Sequence, residues 1–124
     1  MPTGGVAQGE PLEDAAQREL AEESGYRAGR LEPVCVYHTS KSVIDETAHL
    51  FLGFDLTRAQ DPPEPDTTES FQVRPHRFQE VLGMVDAGEI VDSMTIIAVL
   101  QAERRRPVAV DGNRIVSSLA AARR

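Results

Sequence analysis

From Leu12 onward, apolar and polar positions alternate at helical intervals. Leu12, Ala16 and Leu20 recur every four residues with Ala15 beside them, while Arg18, Glu19, Glu22 and Glu23 take the other side. Pro11 suits a first helical turn and Gly25 supplies a left-handed stop, so the spacing predicts a helix from Glu10-Pro11 to Gly25, preceded by a glycine-bearing loop over 4–9. Leu31–His38, rich in Val and Tyr, and His49–Leu56 read as strands on either side of a polar loop, Thr39–Thr47. Prolines make a loop of Asp61–Asp66, and Phe71–Arg74 is a short strand candidate ahead of Pro75. Arg77–Ala87 and Ile90–Arg105 return to helical spacing, with Gly88 between them. After Pro107 the pattern weakens to a short strand, Val108–Val110, and an Ala-rich end that reads as helical or frayed.

Length and charge narrow the picture. A chain of 124 residues is one domain, here expected over 1–106 with a C-terminal tail over 107–124. The longest apolar runs, Leu50–Phe54 and Ile96–Leu100, fall far short of the roughly 18–20 residues that span a bilayer. With a single cysteine, Cys35, no internal disulfide can form, which fits a reducing compartment; the expectation is a cytoplasmic protein with no membrane partner. A net charge of −7 argues against binding the backbone of nucleic acids, so any phosphate chemistry needs a metal bridge. His38, His49 and His76 are too scattered to suggest a site, and Arg104–Arg106 reads as a cluster complementing a helix C-terminus.

The chemistry concentrates between Gly4 and Tyr26. At 100° per residue, Glu19, Glu22 and Glu23 fall within about 100° of one another, so three carboxylates converge from adjacent turns. Such crowding is repulsive unless a cation neutralises it, and hard oxygen donors grouped this way suit Mg²⁺ or Mn²⁺. Arg18, four residues before Glu22, is close enough to hold a carboxylate in one rotamer. On charge pattern alone, the plainer reading is a solvated acidic helix face.

The full spacing favours the metal reading. Gly4-x5-Glu10-x7-Arg18-Glu19-Leu20-Ala21-Glu22-Glu23-Ser24-Gly25-Tyr26 fills every fixed position of the Nudix box, and the chain closely resembles the Nudix hydrolase family. The resemblance implies an α/β fold, an α/β/α sandwich with a mixed sheet. Because the resemblance begins at the box, it also implies a fold that is N-terminally incomplete. Glu19 and Glu23 are then metal ligands, with Glu22 serving a further ion or a water-mediated contact. Arg18 orients them, and Thr3 offers its backbone carbonyl to metal. Ser42–Leu56 looks like the acidic loop and strand of ADP-ribose pyrophosphatases and related nucleotide-sugar hydrolases, although Ser40-Lys41-Ser42 stands where that subgroup often carries Ser-Pro-Gly. By the same resemblance Glu46 contacts substrate or metal-bound water, and Glu69 is the general base or a metal ligand, with Glu64 and Asp66 as rivals on the same loop.

The implied activity is divalent-metal-dependent hydrolysis of the diphosphate in a nucleoside diphosphate derivative, with ADP-ribose or a related nucleotide sugar first among substrates. Homodimerisation is the partner arrangement that the subgroup suggests. A non-catalytic Nudix-like binding module is the alternative.

Overall fold

The computed structural model describes residues 1–60 and 73–106, and the backbone of 117–123. The elements run β1 (Thr3–Gly5), α1 (Leu12–Ser24), β2 (Tyr26–Arg27), β3 (Arg30–His38), β4 (Thr47–Phe54), β5 (Thr57–Arg58), α2 (Phe78–Asp86), α3 (Ser93–Arg105) and β6 (Ser117–Arg123). Four strands form a mixed sheet in the order β1-β6-β4-β3, with β1 parallel to β6 and the other pairs antiparallel; β2 and β5 form a separate two-stranded ribbon.

Helices cover both faces of that sheet, as period-two alternation along β4 requires. Leu50 and Leu52 point to one face, where they pack with Val34, Ala98 and Ala102 under α3. Phe51 points to the other, against Ala16, Leu20 and Ala28 under α1. Burial of Ala15, Ala16, Leu20 and Ala21 fixes which side of α1 faces inward and leaves its acidic residues on the flank. Gly25, with φ of 72°, ends α1 in the left-handed conformation, its N–H donating to the Ala21 carbonyl. Glycine suits this turn because a side chain there would be strained.

The expected helix after Gly88 begins later than the apolar run suggests. Asp92 is its N-cap, its side chain accepting from the Thr95 N–H at 2.8 Å and Oγ1 at 2.6 Å, so α3 starts at Ser93 rather than Ile90. At its other end Arg105 Nη2 donates to the Val34 carbonyl at 2.6 Å, beside the register shift between Pro33 and Cys35 in β3. Proline withholds a ladder donor, and β3 lies at a sheet edge where that is tolerated.

Four strands depart from the pattern, the short β2 and β5 among them, which the spacing does not predict as elements. Gly4 and Gly5, read as the start of a glycine loop, belong with Thr3 to β1. The Ala-rich end, read as helical or frayed, is β6, which lies between β1 and β4. Apart from Thr3, neither segment carries the β-branched and aromatic residues that favour strands, so pairing with neighbours decides their conformation. The expected strand Val108–Val110 and the first half of Phe71–Arg74 lie outside the described residues, while Val73 and Arg74, ahead of Pro75, are not in a strand. None of the described helices is long and apolar enough to cross a membrane.

Candidate active site

The second half of α1 lays its carboxylates against β1. Glu19 is only 8% exposed, and its carboxylate occupies the space beside Gly4: a Cβ on Gly4 would fall 1.9 Å from Glu19 Cδ and 2.0 and 2.1 Å from its oxygens. The absence of a side chain at position 4 is therefore what admits Glu19. One residue earlier on the strand, the Thr3 N–H donates to Glu23 Oε2 at 2.9 Å. Two acidic side chains from successive turns of α1 thus meet consecutive residues of β1.

Arg18 ties the cluster together. Its Nε donates to Glu10 Oε1 at 3.0 Å; Nη1 donates to Glu19 Oε1 at 2.7 Å and Glu22 Oε2 at 3.2 Å; Nη2 donates to the Gly5 carbonyl at 2.8 Å and Glu10 Oε2 at 3.1 Å. These bonds use the whole five-donor fork of a guanidinium. Arg18 is thereby committed to orienting protein groups, with no N–H left over for a ligand. The bond to Glu10, then that to Glu19, holds Arg18 charged far above any physiological pH despite partial desolvation. Reciprocally, Arg18 and the Ala7 N–H, which donates to Glu10 Oε2 at 2.9 Å, hold the Glu10 carboxyl below its ordinary value. Like-charge crowding on this face is offset by one well-placed cation.

Arg18, Glu19, Glu22, Glu23 and Thr3 are brought together as the sequence suggests. Glu46 is not joined to them by any described contact. It sits at the base of the β3–β4 loop, where its carboxylate accepts from Thr39 Oγ1 at 2.7 Å, and its charge, with that of Asp92, bears on Tyr37. Glu69 and its rivals Glu64 and Asp66 lie outside the described residues. Glu10 has a role that sequence reasoning missed, as the partner that fixes Arg18. Its signal was present, since it fills a fixed position of the box and precedes Arg18 by eight residues.

A divalent cation suits this donor set by chemistry: three carboxylates supply hard oxygens, and Glu19 and Glu23 already lie side by side along β1. Among the described residues no three acidic, histidine or cysteine side chains close tightly enough to encircle an ion, because each carboxylate holds a protein donor instead.

A family model for the NUDIX domain matches residues 1–94, three-quarters of the chain. The chain belongs to the NUDIX domain family. Among curated proteins, this Nudix chain is similar to an ADP-ribose pyrophosphatase of Bacillus subtilis (strain 168), with 33% identity over 99 residues, covering 80% of this chain and 54% of the relative. It is also similar to a methanol dehydrogenase activator of Bacillus methanolicus, with 31% identity over 99 residues and the same coverage of 80% and 54%. The chain therefore spans about half the length of the curated relatives it matches. No solved structure matches it.

Proposed function

We propose that the chain hydrolyses the diphosphate linkage of a nucleoside diphosphate derivative, with ADP-ribose or a related nucleotide sugar as the first substrate class, in a reaction dependent on Mg²⁺ or Mn²⁺. The observation that carries this reading is the seating of Glu19 in the space left by Gly4, beside Glu23 on Thr3, with Arg18 spanning Glu10, Glu19 and Glu22. The relative named as an ADP-ribose pyrophosphatase supports the substrate class.

In this reading Glu19 and Glu23, with the Thr3 carbonyl, would hold the divalent cation, and Glu22 would serve a further ion or a water-mediated contact. Bound there, the cation would supply neutralisation of charge on the anhydride and a lowered pKa for a water molecule. Arg18 keeps the carboxylates in position while itself contacting no substrate. Glu46 contacts the substrate, and Glu69 accepts the proton of the attacking water. Water adds to one phosphorus as the bridging P–O bond breaks, and the products are a nucleoside monophosphate and a sugar phosphate.

A second reading is a Nudix-like module that binds without turnover. Nucleotide release with Mg²⁺ from ADP-ribose, other nucleotide sugars and dinucleoside polyphosphates separates the two. Release of nucleoside monophosphate from a nucleotide sugar supports hydrolysis. Stabilisation by Mg²⁺ with no product from any substrate supports the binding module.

A further inference from the structure

α1 is gripped on two opposite flanks, and only one grip belongs to the acidic cluster. On the carboxylate flank, Glu23 accepts from the Thr3 N–H at 2.9 Å and Arg18 donates to the Gly5 carbonyl at 2.8 Å, both on β1. On the other flank, the Gln17 side chain clasps a single backbone residue in the link between β2 and β3: Nε2 donates to the Ala28 carbonyl at 2.7 Å, and Oε1 accepts from the Ala28 N–H at 3.1 Å. A primary amide has the donor and acceptor needed to satisfy both polar groups of one peptide residue, as a neighbouring strand would. Ala28 is itself buried at 8% exposure, packed with Ala16, Leu20 and Phe51.

We infer that Gln17 is a positioning residue, which sets the roll of α1 and thereby the placement of Glu19 and Glu23 on β1. At 100° per residue Gln17 lies about 160° round the helix from Glu19. A roll that lifts the carboxylates away from β1 therefore has to tear the amide from Ala28. Leu20 anchors the helix by packing, but with the small Ala16 and Ala21 beside it that packing fixes the roll less sharply than two directed hydrogen bonds do. Ligand groups need placement within about 0.5 Å, so a roll of even 10–20° matters to a metal site. Gln17 also borders an open hollow of about 410 Å³ lined by Asp14, Arg18, Ala21, Arg27 and Ala28.

The inference rests on the metal-dependent reading above, and its test is chosen to separate the two. Mn²⁺ binding to the full chain is measured by electron paramagnetic resonance in the wild type, in Gln17→Met, which preserves side-chain length without hydrogen bonds, and in Ala102→Gly. The last variant loosens the core under α3, remote from α1, as a control for general destabilisation. Gln17→Met is expected to weaken Mn²⁺ binding about tenfold, the scale of lost supporting interactions around a metal, while Ala102→Gly stays within about twofold of wild type. Equal Mn²⁺ affinity in Gln17→Met and wild type, or equal weakening in the two variants, would overturn the positioning role and leave the hydrolase reading standing. A wild-type chain that binds no Mn²⁺ would overturn both. Should Gln17→Met fail to fold by circular dichroism, Gln17→Leu takes its place with the same expected weakening of about tenfold, because it too lacks both polar groups of the amide and adds no charge.

Discussion

Replacing Gly4 with alanine separates stability from function in a way few substitutions can. The new methyl would lie 1.9 Å from Glu19 Cδ, so that group must retreat by about 1.5 Å to regain ordinary contact. What has to move is the tip of a flexible side chain, since the three atoms nearest the added methyl all belong to the Glu19 carboxylate. The fold should therefore survive. The retreat breaks the 2.7 Å bond from Arg18 to Glu19, a hydrogen bond between charged groups worth about 1.5–3 kcal/mol when shielded; Arg18 is 36% exposed, so the lower end of that range or below is expected. Thermal unfolding should show a loss of about 0.5–1.5 kcal/mol. Divalent-metal affinity, which depends on where the displaced carboxylate sits, should fall about 10–100-fold. Unfolding by differential scanning calorimetry and Mn²⁺ titration on the same preparation read both quantities. A Gly4→Ala chain with unchanged Mn²⁺ affinity would refute the argument that Glu19 requires the space at Gly4.

Other perturbations follow from the same contacts. Leu20, 1% exposed at the centre of the α1 packing, should cost about 2–5 kcal/mol when changed to alanine, read by urea unfolding; a loss below 1 kcal/mol would mean that α1 is not packed on Phe51. Burial raises the Asp92 carboxyl, but the hydrogen bonds from Thr95 and Met94 outweigh it and the net value is lowered. A lowered carboxylate stabilises above its unfolded value, near pH 4, and loses that contribution as pH falls through the folded value. Asp92→Ala should thus cost about 1 kcal/mol at pH 6, with the gap from wild type closing as pH approaches 2; a gap constant with pH would contradict the cap assignment. Removing residues 117–124 takes away the strand with which β1 pairs among the described residues, so amide exchange at Gly4 and Gly5 should speed up by at least an order of magnitude, and unchanged exchange would show that β1 is held by α1 alone.

How much of this could be read from the sequence varied by element. α1 was legible at both ends, because a proline, a four-residue apolar repeat and a left-handed glycine all agree. β3 and β4 were legible from their Val, Tyr, Leu and Phe content to within two residues at each end. β1 was not, because two of its three residues are glycine and depress strand propensity; one of those glycines is there for Glu19, a tertiary reason invisible to local pattern. β6 was missed for a related reason, since alanine favours helix and only the pairing on both sides makes this segment a strand. In the acidic cluster, spacing alone placed Glu19, Glu22 and Glu23 on one face with Arg18 beside Glu22. The clasp of Gln17 on Ala28 and the grip of Glu10 on Arg18 join segments eight or more residues apart, and helical periodicity carries no information about either.

The residue on which the hydrolytic reading depends most is Glu23, because Gln at that position keeps the size and an acceptor for the Thr3 N–H while removing the charge. The most direct measurement is therefore nucleoside monophosphate release from ADP-ribose at saturating Mg²⁺ by the wild-type chain and by Glu23→Gln, each shown to be folded. Turnover by the wild type that falls at least about a hundredfold in Glu23→Gln is the expected result. Equal turnover in the two chains would contradict the assignment of the α1 carboxylates as the metal-dependent centre.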